Sequence, residues 1–317
     1  MNSKNIIMTI QNNTIEPGQN AVLKLGVGRL PSDTRITLNV HVFRSGEPGP
    51  TVLVMAGVHG DEINSVEIVR RTLAQHWFEG LQRGSVVAIP LMNVHGFNNF
   101  SRDVRDGKDV NRSFPGSANG SMAARVAHLF TKHILPVIDF GVDMHTGGNY
   151  NYNYPQIRYS AGNATSRELA DAFGAPFTIA SRPIAKSLRK TALDHGKPVL
   201  VYEGGENLRF DQHSIDEGLA GIRRMLKAHD MLLDAAPSPT PSIHFDKTAW
   251  MRAERPGIFR WLRQSGESVN VGDILAVIND PYGSDEIPVV VKKAGHIIGH
   301  NNNPVVGVGD ALFHIGV

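Results

Sequence analysis

The sequence predicts an α/β protein: a mainly parallel mixed sheet with helices on both faces, followed by a small all-β region at the C-terminus. Three observations lead there. From Thr51 to about Leu233, short apolar runs alternate with helix-patterned stretches, the order that a parallel sheet with crossover helices requires. Ala235-Ala-Pro-Ser-Pro-Thr-Pro-Ser then sets three prolines in alternation, which no helix can continue and which favour an extended spacer. Beyond it, residues 243–317 are rich in turn signals such as Arg255-Pro-Gly, Gln264-Ser-Gly-Glu, Val271-Gly-Asp and Asn279-Asp-Pro, as in a small sandwich or barrel.

Each element follows in order. The first fifty residues alternate apolar and polar, as in Ile36-Thr-Leu-Asn-Val-His-Val-Phe, which suits half-buried strands. Apolar runs at 51–56, 85–91, 137–144 and 198–203 read as buried strands, and helical stretches are expected near 62–78, 121–135, 165–173, 187–195 and 211–233. In the helix after Ser121, Met122, Val126, Leu129, Phe130 and Ile134 fall on one stripe, so that helix packs on the sheet. Two domains are expected, residues 1–236 carrying the chemistry and residues 243–317 forming the β unit.

A chain of 317 residues can bury a large core. Its 32 Lys+Arg nearly balance 30 Asp+Glu, which gives no reason to expect a nucleic-acid or membrane partner. With no cysteine, disulfides, thiolate nucleophiles and Cys-ligated metals are excluded, so any metal rests on carboxylates and on some of the 14 histidines. The N-terminus lacks an apolar stretch of signal-peptide length and nothing downstream approaches a membrane span, so the expected compartment is the cytoplasm. Symmetric oligomers are common, and a homo-oligomer, by default a dimer, is a possible partner arrangement.

The candidate chemistry lies at strand ends. Val-Met-Ala-Gly-Val runs into His59 and Glu62, and Ile138-Asp-Phe-Gly-Val-Asp-Met delivers His145. Two imidazoles and a carboxylate can hold a zinc ion and leave one position for water. A capping carboxylate beside a solvent-facing histidine is the alternative for the first pair, but sites in parallel sheets gather at the carboxyl ends of strands. Asp143, two residues before His145, shares its face and can accept the spare imidazole N–H, or serve as an ordinary hydrogen-bonded strand-end residue. In the charged loop 98–116, Asn111-Arg112 can clamp a carboxylate and Arg102 can stabilise an oxyanion, unless the loop is a solvated one with internal ion pairs. Val199-Leu-Val-Tyr-Glu-Gly-Gly-Glu places Glu203 at a strand terminus, where it suits the role of general base better than Glu206. His296 and His300 could bind a second metal, or stand as scattered surface or core histidines.

Taken together, His59-Gly-Asp-Glu62, Arg102, Asp109-Val-Asn111-Arg112-Ser-Phe-Pro-Gly, Asp143-Met-His145-Thr-Gly and Tyr202-Glu203-Gly-Gly resemble the succinylglutamate desuccinylase/aspartoacylase family, relatives of the zinc carboxypeptidases. The resemblance spans roughly residues 45 to 235. It implies a zinc carboxypeptidase-like fold, one Zn2+ per chain, and hydrolysis of the amide bond of an N-acyl amino acid or a related small N-acylated amine. It places the metal on His59, Glu62 and His145, makes Glu203 the general base and acid, and gives Arg102 to the oxyanion, with Arg105 as its rival. Asn111 and Arg112 become the substrate-carboxylate clamp, and Arg158, in Pro155-Gln-Ile-Arg, a further substrate contact. Val110 stands where leucine is commoner in the family. A peptide-cleaving carboxypeptidase and a non-catalytic metal-binding or regulatory protein are the competing functions; an open groove would favour the first, a capped pocket the deacylase.

Overall fold

The computed structural model describes residues 7–317. A short hairpin, β1 (Met8–Ile10) and β2 (Asn13–Ile15), precedes the long antiparallel pair β3 (Asn20–Arg29) and β4 (Arg35–Arg44). Then come β5 (Thr51–Ala56), α1 (Ile63–Ala74), β6 (Ser85–Ile89), α2 (Val94–Asn98), α3 (Met122–His133), β7 (Phe140–Gly147) and β8 (Asn151–Ser160). This half closes with α4 (Ala164–Phe173), β9 (Phe177–Ser181), α5 (Leu188–Asp194), β10 (Val199–Glu206) and α6 (Gln212–Lys227).

Strands β6, β5, β7 and β10 lie side by side in parallel, and they are the continuous apolar runs of the sequence. Every residue of β6 and β7 is buried, as expected of strands covered on both faces. Alternation along β5 shows the two layers. Val52, Val54 and Ala56 face a core shared with α1, α4 and α6, while Leu53 and Met55 face one shared with α3, α5 and the β3–β4 pair. The stripe expected on α3 is met by Val126, Leu129, Phe130 and Ile134, all buried, with Met122 packed at its edge.

Two strands were not expected. β8 runs antiparallel to β10, and β9 pairs with β8 in parallel. In β8 the aromatic alternation of Tyr152 and Tyr154 is interrupted by asparagines and Pro155, which masks its strand character.

Residues 235–242 carry no helix or strand. The chain continues with β11 (Ile243–Phe245), β12 (Thr248–Arg252), β13 (Gly257–Trp261), β14 (Ser268–Val269), β15 (Ile274–Asn279), β16 (Glu286–Val290), β17 (Gly295–Asn301), β18 (Val305–Val306) and β19 (Ala311–Gly316). A four-stranded sheet in the order β16-β15-β13-β18 packs over β17 and β19 through Phe259, Leu275, Ile297, Leu312, Phe313 and Ile315. The C-terminal strands do not all stand apart from the parallel sheet. β11 pairs with β9, and β17 pairs with β8 through Gly299–Asn153, His300–Tyr152 and Asn301–Asn151, so one sheet of thirteen strands runs through both halves. Among the described residues, no helix is long and apolar enough to cross a membrane.

Candidate active site

The loop after β5 carries His59 and Glu62 over the end of the parallel strands. Gly60 lets it pass directly against the backbone of Gly96 and Phe97, where a Cβ would collide. Glu62 occupies the N-cap position of α1 but makes no side-chain cap bond. Its carboxylate turns inward instead. One oxygen lies 2.6 Å from His59 Nδ1; the other lies 2.9 Å from His145 Nδ1 and accepts the Thr146 N–H at 3.2 Å. The two Nδ1 atoms are 3.2 Å apart, and all three residues are buried. His145 comes from the end of β7, in parallel register with Glu203 of β10.

The outer nitrogens of both rings face carboxylates. His145 Nε2 is 2.8 Å from Asp143, and His59 Nε2 is 3.3 Å from Asp109. Burial opposes protonation of both imidazoles, but these carboxylates and Glu62 outweigh it and favour positive charge there. Burial likewise opposes ionisation of Glu62, yet the His59 and His145 imidazoles hold its carboxyl well below the usual range. A donor set of two imidazole nitrogens and one carboxylate, mutually within 4.8 Å and backed by outer carboxylates, fits a divalent metal ion.

Arg102 adjoins this cluster. Its Nε and Nη2 donate to Asp109 Oδ2 at 3.2 and 3.0 Å, and its Nη1 lies 3.4 Å from Glu62 and 3.2 Å from His59. Burial weakens the charge of Arg102, but Glu62 and Asp109 more than restore it. Arg105 is exposed and lines a different surface cleft, so Arg102 is the arginine at the site. Asp109 also accepts from the Asn111 N–H at 2.6 Å, which orders the short 3-10 turn Val110–Arg112. Asn111 Oδ1 accepts from the Leu188 N–H at 2.9 Å, so its amide NH2 remains for a ligand. Arg112 is exposed at the rim.

A cavity of about 220 Å³ joins these groups to Glu203, Asn153, Arg158, Arg189 and Trp250. Glu203 shares the sheet face of Val201 and Arg158, and Asn153 donates to its carboxylate at 3.0 Å. Glu206, beyond a bulge in β10, is buried elsewhere and accepts from Asn302 at 2.7 Å. The residues preferred for the site from the sequence therefore line one cavity, His59, Glu62, His145, Arg102, Asn111, Arg112, Arg158 and Glu203, and the rivals Arg105 and Glu206 do not. His296 and His300 do not converge. His296 packs on Phe177 and Phe245, while His300 stacks on Tyr152 and lies 2.6 Å from Ser265 Oγ.

Sequence reasoning missed Arg189, which reads as an ordinary helix position, and Trp250, whose arrival depends on β12 joining the extended sheet. It missed Asn153 because β8 itself went unrecognised. Asp109 stood in the motif, but its spacing from Arg102 and His59 along the chain gives no sign that it bridges them.

The chain resembles known proteins over most of its length. The model of the succinylglutamate desuccinylase/aspartoacylase catalytic domain matches residues 48–229. The chain is 27% identical over 294 residues to the N-alpha-acetyl-L-2,4-diaminobutyric acid deacetylase of Halomonas elongata, covering 87% of this chain and 84% of that enzyme. Its fold superposes on the succinylglutamate desuccinylase/aspartoacylase of Rhodobacter sphaeroides with a TM-score of 0.83, at 25% identity and 94% coverage of each chain. The product-bound ectoine utilization protein EutE (DoeB) of Ruegeria pomeroyi gives a TM-score of 0.82 at 23% identity, again over 94% of each chain. A family match over more than half the chain, on a fold shared from end to end, settles the kinship: the chain belongs to the succinylglutamate desuccinylase/aspartoacylase family.

Proposed function

We propose that this protein is a zinc-dependent deacylase that hydrolyses the amide bond of an N-acyl amino acid or a related small N-acylated amine. One observation carries the reading: His59, Glu62 and His145 converge within 4.8 Å on a cavity that Glu203 and Arg102 also line. The deacetylase from Halomonas elongata, similar over most of its length, supports the same reaction class. So does the small cavity, below the roughly 300–1,000 Å³ usual for ligand pockets and walled on one side by Trp250, which suits a small substrate rather than a peptide.

His59, Glu62 and His145 would hold the zinc, with Asp143 and Asp109 fixing the orientation of the two rings. When bound, zinc supplies Lewis-acid polarisation of the acyl carbonyl and acidifies water to a pKa of about 7. Glu203 takes the proton from the attacking water and passes it to the departing amine. Its partner Asn153 is a neutral donor, so the carboxylate is oriented without being locked in an ion pair. Arg102, braced by Asp109 through Nε and Nη2, holds Nη1 beside Glu62 and His59, where it would donate to the oxygen that gains charge as the carbonyl is attacked. The Asn111 amide and the Arg112 guanidinium take the substrate carboxylate, and Arg158 contacts the substrate from the sheet side.

The test is Glu203→Gln. The variant should retain about one zinc per chain while kcat falls by roughly 10²–10⁴, the usual contribution of a general base and acid. A wild-type rate would remove Glu203 from the mechanism.

A further inference from the structure

A second cleft, sharing no residue with the active cavity, opens beside it. It measures about 640 Å³, and its walls include Tyr150, Glu206, Arg209, Trp261 and Asn302. That volume is ordinary for a small-molecule site. A single turn separates the two cavities: Gly147, Gly148 and Asn151 line the active one, and Tyr150 lines the cleft.

Asn302, on the C-terminal side of the cleft, assembles these walls. Its backbone N–H donates to the Tyr150 carbonyl at 2.8 Å, and its Nδ2 donates to Glu206 Oε2 at 2.7 Å. Its Oδ1 accepts from the Trp261 indole N–H at 3.0 Å. Both rings are partly exposed in spite of this bracing. Tyr150 stands at φ 61, in the left-handed region that side chains other than glycine avoid, so its exposed ring is presented at a conformational cost.

The charges of the cleft are half satisfied. Glu206 is only 6% exposed, yet among the described residues its Oε1 has no hydrogen bond and meets only Arg209 Nε, at 3.9 Å. The Arg209 side chain is largely exposed and makes no other ion pair among the described residues. At that separation carboxylate and guanidinium are not hydrogen-bonded to each other. A buried carboxylate oxygen without a donor is unfavourable until a cationic or polar group completes it.

We propose that this cleft binds a small zwitterion, its ammonium group against Glu206 Oε1 and the Tyr150 and Trp261 rings, its carboxylate on Arg209. Two fixed charges of opposite sign favour a molecule that carries both over one that carries either, and the aromatic faces favour its cationic end. Free amino acids are the ligand class. The site uses none of the residues of the active cavity, so it stands or falls apart from the deacylase reading.

The test is calorimetric binding of 4-aminobutyrate, butylammonium and butyrate to the purified protein. The three share one four-carbon chain and carry both charges, the positive one or the negative one. A carboxylate that binds in the active cavity contributes equally to 4-aminobutyrate and butyrate, so the advantage of the first reports the cleft. In the wild type 4-aminobutyrate should bind at least about tenfold tighter than either half, as expected for charge-assisted contacts.

Glu206→Gln, which keeps an acceptor for Asn302, should bring the ratio of 4-aminobutyrate to butyrate within about twofold of one. Arg209→Gln should do the same to the ratio of 4-aminobutyrate to butylammonium. Tyr150→Asn, a residue that tolerates the left-handed backbone, should weaken 4-aminobutyrate and butylammonium by about two- to fivefold and leave butyrate unchanged. Equal affinities of the three in the wild type, or no binding at all, overturn the proposal. So does an advantage that survives both charge substitutions, because it then belongs to another site. Loss in only one of them also overturns it, since it leaves a site for a single charge. If Glu206→Gln fails to fold, Arg209→Gln and Tyr150→Asn still decide.

Discussion

Two pairs of histidines are buried to the same depth in this molecule and are held in opposite ways. His59 and His145, at the ends of the parallel strands, are each 3% exposed; His300 and His314, in the β layer behind the cavity, are 6% and 5% exposed. Burial lowers the proton affinity of all four. Around the first pair Glu62, Asp109 and Asp143 reverse that effect. Around the second no carboxylate does so. His300 meets Ser265, Tyr152 and Trp261, and is pushed down to about 4. His314 lies flat on Trp250 with ring centroids 4.5 Å apart, and burial, with Arg158 adding to it, pushes it down to about 3. A buried histidine thus leans toward the neutral or the charged form according to its acidic neighbours, and depth alone distinguishes nothing.

Removing a member of the first pair should have the largest effect. His145→Ala deletes one donor of the cluster and leaves Asp143 and one Glu62 oxygen without their imidazole. We expect loss of bound zinc, read by elemental analysis, and a fall in activity greater than the roughly 100-fold that an outer-shell change costs. Full zinc content in the variant would show that His145 is not a ligand.

Weakening the acidic surroundings while keeping both rings should cost less. Asp143→Asn preserves shape and one hydrogen bond to His145 Nε2 but removes the charge. Zinc affinity or activity should fall by roughly 10–100-fold. A competition titration with a chelator measures this directly, and unchanged affinity would mean that Asp143 is a structural strand-end residue.

How much of this contrast the sequence made legible depends on whether the cause was local. β5, β6, β7 and β10 announce themselves because strands buried on both faces are continuously apolar. His59, Glu62 and His145 stand out because they end such strands or directly follow one. What sorts the histidines is not local. Asp109 reaches His59 from a loop fifty residues on, and His300 meets Tyr152 only because β17 pairs with β8. The boundary expected at the proline-rich stretch from Ala235 to Ser242 has the same lesson. The proline-rich break is real as an interruption of secondary structure, but the strands after it are hydrogen-bonded into the catalytic sheet, and through them Trp250 reaches the cavity. Arg189 was hidden for a different reason, since a buried arginine on a short helix carries no pattern that separates it from an exposed one.

The smallest expected effect concerns the second pair and sets its sign against the first. His300 and His314 have folded-state values of about 4 and about 3, below the ordinary histidine value of 6.5. Between those limits the unfolded chain binds protons that the folded chain does not. Their contribution to stability is therefore complete above about pH 7 and is lost as the pH falls through 6.5 toward 4. Each histidine should contribute a slope of about 1 kcal/mol per pH unit in the window from pH 7 to 5, where ordinary carboxylates remain largely ionised. Urea unfolding of the wild type and of a His300→Asn/His314→Asn double variant at several pH values in that window isolates the effect. Asparagine alters packing against Tyr152 and Trp250, so the absolute stability will change, but it does not titrate. The difference in slope between the two proteins carries the information, because groups common to both, including His59 and His145, cancel. Parallel slopes would mean that the second pair is already protonated in the folded state, which requires a counter-charge that the packing around His300 and His314 does not provide.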